Sequence, residues 1–242
     1  MPKKIVIIQA RMRSTRLYGK VMKKVCNKTI LEHDILRISK SKAIDEIVIA
    51  TTDHPVDDII VEQANKLQVK FFRGNEHNVL SRYYFAALDN NADIIVRITS
   101  DCPLYDWQVL DNMMGYFETH NFDYLSNSLE RTYPRGLETE IFTFNSLEKA
   151  YFEAKTDSEQ EHVTPYIWQN PNLFKLQNWQ AKINNSHHRW TLDTEEDFLL
   201  INTIYKHLYP KNNYFTTDDI LGLFEAIPNL FQINSHIEQK KL

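Results

Sequence analysis

The sequence predicts an α/β domain built on a mostly parallel sheet with helices on both faces. Two observations carry this expectation. Short, nearly continuous apolar runs rich in Ile and Val recur in the first half of the chain, as strands buried on both faces require. Between these runs, apolar residues return at helical spacing, so strand and helix alternate and each crossover is expected to be right-handed.

Taken in order, strands are expected at 4–9, 46–52, 69–73 and 93–99, the first around Ile5-Val6-Ile7-Ile8. Ile30, Leu31, Ile35, Leu36 and Ile38 define one helical face. Val56, Ile59, Ile60 and Ala64 define a second, and Val79, Leu80, Tyr83, Tyr84, Ala87 and Leu88 a third. On that face the Tyr83-Tyr84 pair reads as core, not as a stacking platform. After about residue 120 the rhythm changes. Strand-like pieces at 123–127, 138–144 and 173–180 mix with helices near 145–155 and 158–169. This is an α+β insertion suited to an acceptor pocket or a dimer surface. Arg189-Trp190-Thr191-Leu192-Asp193 is expected to return to the main sheet, ahead of closing helices near 195–208 and 217–226. No repeat or Pro/Gly linker interrupts the chain. One domain over 1–242 is expected, with a first half at 1–120, an insertion at 121–187, and a closing strand and helices at 188–242.

Composition bounds the function. A 242-residue chain can bury a substantial core, and 43% hydrophobic with 25% charged residues is ordinary for a soluble domain. No apolar run approaches the roughly 20 residues of a membrane span, and Lys3-Lys4 leads into too few apolar residues for a secretory segment. The two cysteines, Cys26 and Cys102, supply neither a disulfide framework nor a metal knuckle, so a reduced cytoplasmic protein is expected. A net charge of −4 speaks against general nucleic-acid binding.

The charge is unevenly placed. The first 28 residues hold nine Lys or Arg and no Asp or Glu, whereas acids outnumber bases in the remainder. Such a start is an anion-binding candidate. A transit peptide, a basic arm for nucleic acid and a plain surface loop compete with that reading. A transit peptide forms an amphipathic helix and a basic arm is disordered, so the β-branched, buried-looking strand argues against both. It leads directly into Arg11, Arg13, Ser14, Thr15, Arg16, Gly19 and Lys20. A loop of that composition behind a strand suits a polyphosphate.

Ligands of open α/β sheets sit at the carboxyl ends of the strands. Two further loops fall there: Thr99-Ser100-Asp101-Cys102-Pro103 and Asp193-Thr194-Glu195-Glu196-Asp197. Asp101, at a strand end, is either a Mg²⁺ ligand or a turn-capping Asp. Thr194 with Asp197 reads as a helix cap, which leaves Asp193, ahead of the cap, without a structural explanation. Mg²⁺ takes one or two carboxylates together with phosphate oxygens and water, and Asp101 and Asp193 match that demand. Arg11, Arg16 and Lys20 would then hold the phosphates of a nucleoside triphosphate. This chemistry is nucleotidyl transfer without a Walker loop, since no GxxxxGK[ST] is present.

The segment from Ile8 to Lys20 closely resembles the opening of SpsF-like cytidylyltransferases, the spore-coat polysaccharide relatives of CMP-Kdo synthetase and acylneuraminate cytidylyltransferase. The likeness continues through Ile49-Ala50-Thr51-Thr52, Phe72-Arg73-Gly74, Val79 to Tyr84 and Arg97 to Leu104. It runs on through Thr132 to Leu137, Glu161 to Tyr166, Arg189 to Asp197 and Ile233 to His236, and so covers essentially the whole chain. The resemblance implies a nucleotide-diphospho-sugar transferase (GT-A-like, Rossmann-like) fold. It also implies a Mg²⁺-dependent transfer of CMP from CTP to a sugar, usually an acidic keto-sugar, with release of pyrophosphate for a surface polysaccharide or glycan. Residues 1–120 are then the nucleotide-binding half, and a homodimer through the insertion is implied.

By position, Arg11, Ser14, Arg16 and Lys20 match the triphosphate loop, Ala10 falls among the nucleotide contacts, and Asp101 and Asp193 match the two metal aspartates. Arg73, near Ala50 and Thr51, falls where related synthetases contact the nucleotide. Tyr18 stands for the usual Pro, Arg13 for Gly, Ser81 for the Asp before Arg82, and His77-Asn78 for an acidic pair. The last two changes bear on base specificity. Arg135, Glu140, Glu161, His162 and Arg189 fall in motifs of the acceptor half. An Arg there can bind a sugar carboxylate bidentately, and His162 is either a general base or a structural hydrogen-bonding group. Rival readings are a nucleotidyltransferase using another triphosphate with a sugar 1-phosphate, and a catalytically silent nucleotide-binding subunit. A glycosyltransferase is the third, and no Asp-x-Asp stands at the expected strand end to support it.

Overall fold

A computed structural model describes residues 1–239, so residues 240–242 of the expected closing stretch lie outside the described residues. Strand β1 (Lys4–Gln9) opens the sheet, with Ile5, Val6, Ile7 and Ile8 fully buried. After the cationic loop comes a small hairpin of β2 (Lys24–Val25) and β3 (Lys28–Thr29), which turns at Cys26 and Asn27, both at positive φ. The Thr29 hydroxyl caps α1 (Ile30–Ile38) by accepting the Glu32 N–H. Then follow β4 (Glu46–Thr52), α2 (Asp58–Lys66), β5 (Lys70–Gly74), α3 (Val79–Asp89) and β6 (Ile94–Thr99).

The next element, α4 (Trp107–Glu118), is a helix beyond those expected from the sequence. Its signal was present: Asp106 caps it, and Val109, Leu110, Met113, Met114 and Phe117 form its buried face. The second half comprises β7 (Tyr124–Ser126), β8 (Glu140–Thr143), α5 (Phe144–Glu153), α6 (Asp157–His162), α7 (Pro165–Trp168) and β9 (Leu176–Asn178). It closes with α8 (Glu195–Leu208) and α9 (Thr217–Ala226), each started by a Thr–Asp capping box.

The seven-stranded sheet has the order β5-β4-β1-β6-β8-β7-β9. Strands β5, β4, β1 and β6 run parallel, β8 is antiparallel to β6 and β7, and β9 is parallel to β7. Strands from the 121–187 region therefore extend the same sheet. One face packs Val6, Ile8, Ile49, Val96 and Ile98 under α1, α2 and α4. The other packs Ile5, Ile7, Val48 and Ile95 under α3 and α5, where Tyr83 is fully buried and Tyr84 nearly so. Each fully buried Ile or Val contributes about 1.5–3 kcal/mol.

Two expectations are corrected. The helix expected over 158–169 is broken at Val163, whose φ of 72° and Thr164 N–H to His162 carbonyl bond (2.9 Å) form a γ-turn, costly for a β-branched residue. Residues 189–193 do not rejoin the sheet. Their backbone groups bind loops instead: Trp190 N–H donates to the Arg135 carbonyl (2.7 Å) and Leu192 N–H to the Asp101 carbonyl (2.8 Å). Gly136 permits this crossing, because a Cβ there would stand 2.7 Å from the Trp190 carbonyl carbon. Among the described residues, no helix is long and apolar enough to cross a membrane.

Candidate active site

The carboxyl ends of the four parallel strands each deliver charged groups to one edge of the sheet. From β1 comes the cationic loop. Its start is fixed by the Met12 N–H, which donates to the Asp57 carboxylate at 2.7 Å beyond β4. Asp57 is itself buried and takes a second bond from the Thr52 hydroxyl. The loop closes on itself, since Ser14 and Gly19 N–H groups both donate to the Met12 carbonyl, at 2.9 and 2.8 Å. Gly19 adopts φ 65°, which favours glycine, and the chain then turns into a short 3₁₀ segment, Lys20–Met22.

That turn sends Lys20 inward. Its ammonium donates to Asp101 Oδ2 at 2.6 Å, to Asp193 Oδ1 at 2.8 Å and to the Leu192 carbonyl at 2.8 Å. Lys20 is only 9% exposed, so these three acceptors satisfy all three of its donors away from bulk water. Burial alone would lower its pKa, but the charges of Asp101 and Asp193 outweigh it and hold the pKa above the ordinary value. Asp101 behaves in the complementary way. Burial would raise its pKa, yet the Lys20 charge and hydrogen bonds from Lys20, Thr99 and Cys102 hold it at about 2. The Thr99 hydroxyl donates to Asp101 Oδ1 at 2.6 Å.

Asp193 is a hub. Arg16 reaches the oxygen that Lys20 holds, at 2.7 Å, and Arg189 donates to the other at 2.9 Å. Arg189 also grips Asp197 with two bonds, at 2.9 and 3.0 Å. Burial works against the Arg189 charge, but its bonds to Asp197 and Asp193 keep its pKa raised. The structure thus brings together Arg16, Lys20, Asp101, Asp193 and Arg189. Their chemistry fits a divalent cation: two carboxylates from separate segments already hold one cationic group between them at bonding distance. Among the described residues no cluster of three or more His, Cys, Asp or Glu forms a fuller metal cage. A two-carboxylate site is what Mg²⁺ uses when a phosphate completes its shell.

The other residues singled out in the first half of the sequence make their contacts with other groups. Arg11 and Arg13 both face Glu76, at 3.5 and 3.0 Å. Ser14 is half-buried in the loop, and Ala10 donates its N–H to the Ala50 carbonyl at 3.2 Å. Ala50 and Thr51 are fully buried within β4. Arg73 ties down the loop beyond β4, bonding to the Thr52 and His54 carbonyls and pairing with Asp58. The Ser81 hydroxyl donates to the Asn78 carbonyl in the first turn of α3.

On the acceptor half, Arg135 is half-buried. Burial, then the neighbouring charges of Arg131 and Arg189, lower its pKa. Glu161 is exposed at the end of α6 and His162 half-buried beside it. Glu140 is 6% exposed and ion-paired with Arg97, and its other oxygen takes bonds from the Tyr124 and Thr164 hydroxyls. It thereby anchors the γ-turn that follows His162. The sequence reading did not single out Asp57, Glu76 or Thr99, nor Asp34, which is fully buried on α1 with neither carboxylate oxygen hydrogen-bonded.

The cytidylyltransferase family model matches residues 5–240, and it spans every one of these segments. The chain belongs to the cytidylyltransferase family. It is 41% identical over 98% of its length to an uncharacterized protein of Methanocaldococcus jannaschii, covering 96% of that protein. It is 34% identical to the spore coat polysaccharide biosynthesis protein SpsF of Bacillus subtilis, covering 84% of this chain and 86% of the relative. A solved cytidylyltransferase from Leptospira borgpetersenii superposes with a TM-score of 0.92 at 34% identity, covering all of both chains. Membership makes nucleotidyl transfer the family's chemistry, and the strand-end cluster is the place in this member where charged groups suited to it converge.

Proposed function

We propose that this cytidylyltransferase-family protein transfers CMP from CTP to a hydroxyl of a sugar, with Mg²⁺ and with release of pyrophosphate. The observation that carries the reading is the convergence of Lys20, Asp101 and Asp193 beside the Arg-rich loop. In the reaction the acceptor oxygen attacks the α-phosphorus of CTP and a new O–P bond forms. The bond from the α-phosphorus to the bridging oxygen breaks, pyrophosphate leaves with that electron pair, and the hydroxyl proton is lost to a base.

Arg11, Arg16, Lys20 and Ser14 hold the β- and γ-phosphates and neutralise the charge that grows on the leaving group. The loop is set in advance by its bond to Asp57, so little ordering is left to do on binding. Asp101 and Asp193 hold Mg²⁺, which when bound polarises the α-phosphate and lowers the pKa of a nearby hydroxyl. Thr99 and Arg189 orient the two carboxylates. Ala10, Ala50 and Thr51, at the ends of β1 and β4, with Arg73 and Ser81, form the nucleoside side. Arg135 forms no ion pair at salt-bridge distance among the described residues, while Arg131 pairs with Glu138 and Arg189 with Asp193 and Asp197. It is the guanidinium on this half that can bind an anionic acceptor, as an acidic keto-sugar is. Glu161 and His162 border that half. A homodimer through residues 121–187 belongs to the same reading.

Thermal-shift ranking of CTP, GTP, UTP and dTTP with Mg²⁺ tests the base: CTP should give the largest rise in Tm, by mass action. A pyrophosphate assay across keto-sugar acids and sugar phosphates then tests the acceptor. A larger shift with GTP, or turnover only with a sugar 1-phosphate, would replace this reading with its nearest rival.

A further inference from the structure

The charged groups at the centre balance one another. Arg16, Lys20 and Arg189 face Asp101, Asp193 and Asp197, three cations against three carboxylates, all in direct contact. Lys20 alone spans both proposed metal aspartates, and its stem and head are nearly sealed from solvent. A bare divalent cation entering here must push the ammonium out of three hydrogen bonds. It also leaves the cluster with two uncompensated positive charges. A triphosphate brings roughly four negative charges, offsets that excess and offers the displaced ammonium new acceptors.

We infer that Lys20 is an internal stand-in for the metal ion: it bridges Asp101 and Asp193 until a triphosphate arrives, and it keeps metal from binding alone. This rests on the reading of Asp101 and Asp193 as metal ligands given above. Metal entry is thereby tied to nucleotide entry, and Lys20 changes from a partner of the carboxylates to a partner of the phosphates in the same step. The device differs from general charge repulsion because it depends on position. Arg16 carries the same charge but touches Asp193 only from the more exposed side.

The experiment titrates Mn²⁺ alone, read by the electron paramagnetic resonance of the free and bound ion. Wild-type protein is expected to bind it more weakly than ~1 mM. Lys20→Met, close in length but uncharged, is expected to bind one Mn²⁺ per chain at least about tenfold more tightly. Arg16→Met removes an equal charge and is expected to change the affinity less than about threefold. Circular dichroism confirms that each variant is folded, and the wild-type arm stands without any variant. Tight binding of Mn²⁺ by the wild type would overturn the inference. So would equal gains from the two substitutions, or no gain from Lys20→Met. Nucleotide is absent from every arm, so a failure here is distinct from a failure of the nucleotide-ranking and pyrophosphate assays.

Discussion

Asp57 accepts the backbone N–H of Met12 at 2.7 Å and so fastens the start of the cationic loop to the end of β4. This fixes the spacing between the loop and the neighbouring strand end, although Asp57 carries no charge complementary to a phosphate. Asp57→Ala leaves the Met12 N–H and the Thr52 hydroxyl without their acceptor, at a cost of about 1–3 kcal/mol in stability. It should also lower kcat/KM for CTP about tenfold, because a loosened loop must be ordered on binding. Steady-state kinetics beside a denaturant melt check both. A stability loss with unchanged kcat/KM would mean that the loop keeps its geometry without this bond.

Asp34 gives a pH signature. Burial, and then the charge of Asp101, push its carboxyl well above the ordinary range. The folded state therefore holds a proton that the unfolded chain releases near pH 4. The associated stability is complete below that pH and is lost as pH rises towards the folded value. Asp34→Asn removes the loss. It should raise stability at pH 7, read as a higher Tm than that of the wild type. The advantage should shrink towards pH 4. A gain of the same size at both pH values would show that Asp34 does not titrate in this way.

Glu140 separates a structural role from an acceptor-binding one. It is buried against Arg97 and takes hydroxyl bonds from Tyr124 and Thr164. Glu140→Ala strands a buried guanidinium, which costs about 3–5 kcal/mol. Thermal unfolding should show a large drop in Tm. An unchanged Tm with a raised KM for the sugar would instead make Glu140 an acceptor ligand.

Gly136 tests the crossing that holds the segment carrying Arg189 and Asp193. Its φ is 99°, and a Cβ would meet the Trp190 backbone at 2.7 Å. Gly136→Ala should destabilise the fold by about 2–4 kcal/mol, from strain and overpacking together. Chemical denaturation measures it, and a neutral result would mean that the two segments separate at little cost.

The strands β1, β4 and β6 were legible because nearly continuous apolar runs leave little choice but burial on both faces, whereas β5 is an edge strand with no buried residue. The charged cluster was legible for a related reason. Lys20, Asp101 and Asp193 lie on loops beyond apolar segments, where charged residues meet one another at the sheet's edge instead of entering its core. Residues 189–193 misled because Trp190 and Leu192 alternate with polar residues as a strand does. The polar partners Arg189 and Asp193 are spent on the site, and the backbone pairs with loops. Asp57 and Glu76 look like ordinary loop or helix-start acids, and only the tertiary fold sets Met12, Arg11 and Arg13 opposite them. Asp34 did leave a trace: it stands midway between Ile30 and Ile38 on one helical stripe, an acid where the pattern calls for an apolar residue.

Asp101 and Asp193 are proposed to act with Lys20 in nucleotidyl transfer from CTP. Pyrophosphate release from CTP and Mg²⁺, followed in the wild type and in Asp101→Asn with an acidic keto-sugar acceptor, tests it most directly. The wild type should release pyrophosphate only when CTP, Mg²⁺ and acceptor are all present, and Asp101→Asn should lower kcat by about 10²–10³-fold while remaining folded. Undiminished release in Asp101→Asn, or no CTP-dependent release by the wild type with any acceptor, would contradict it.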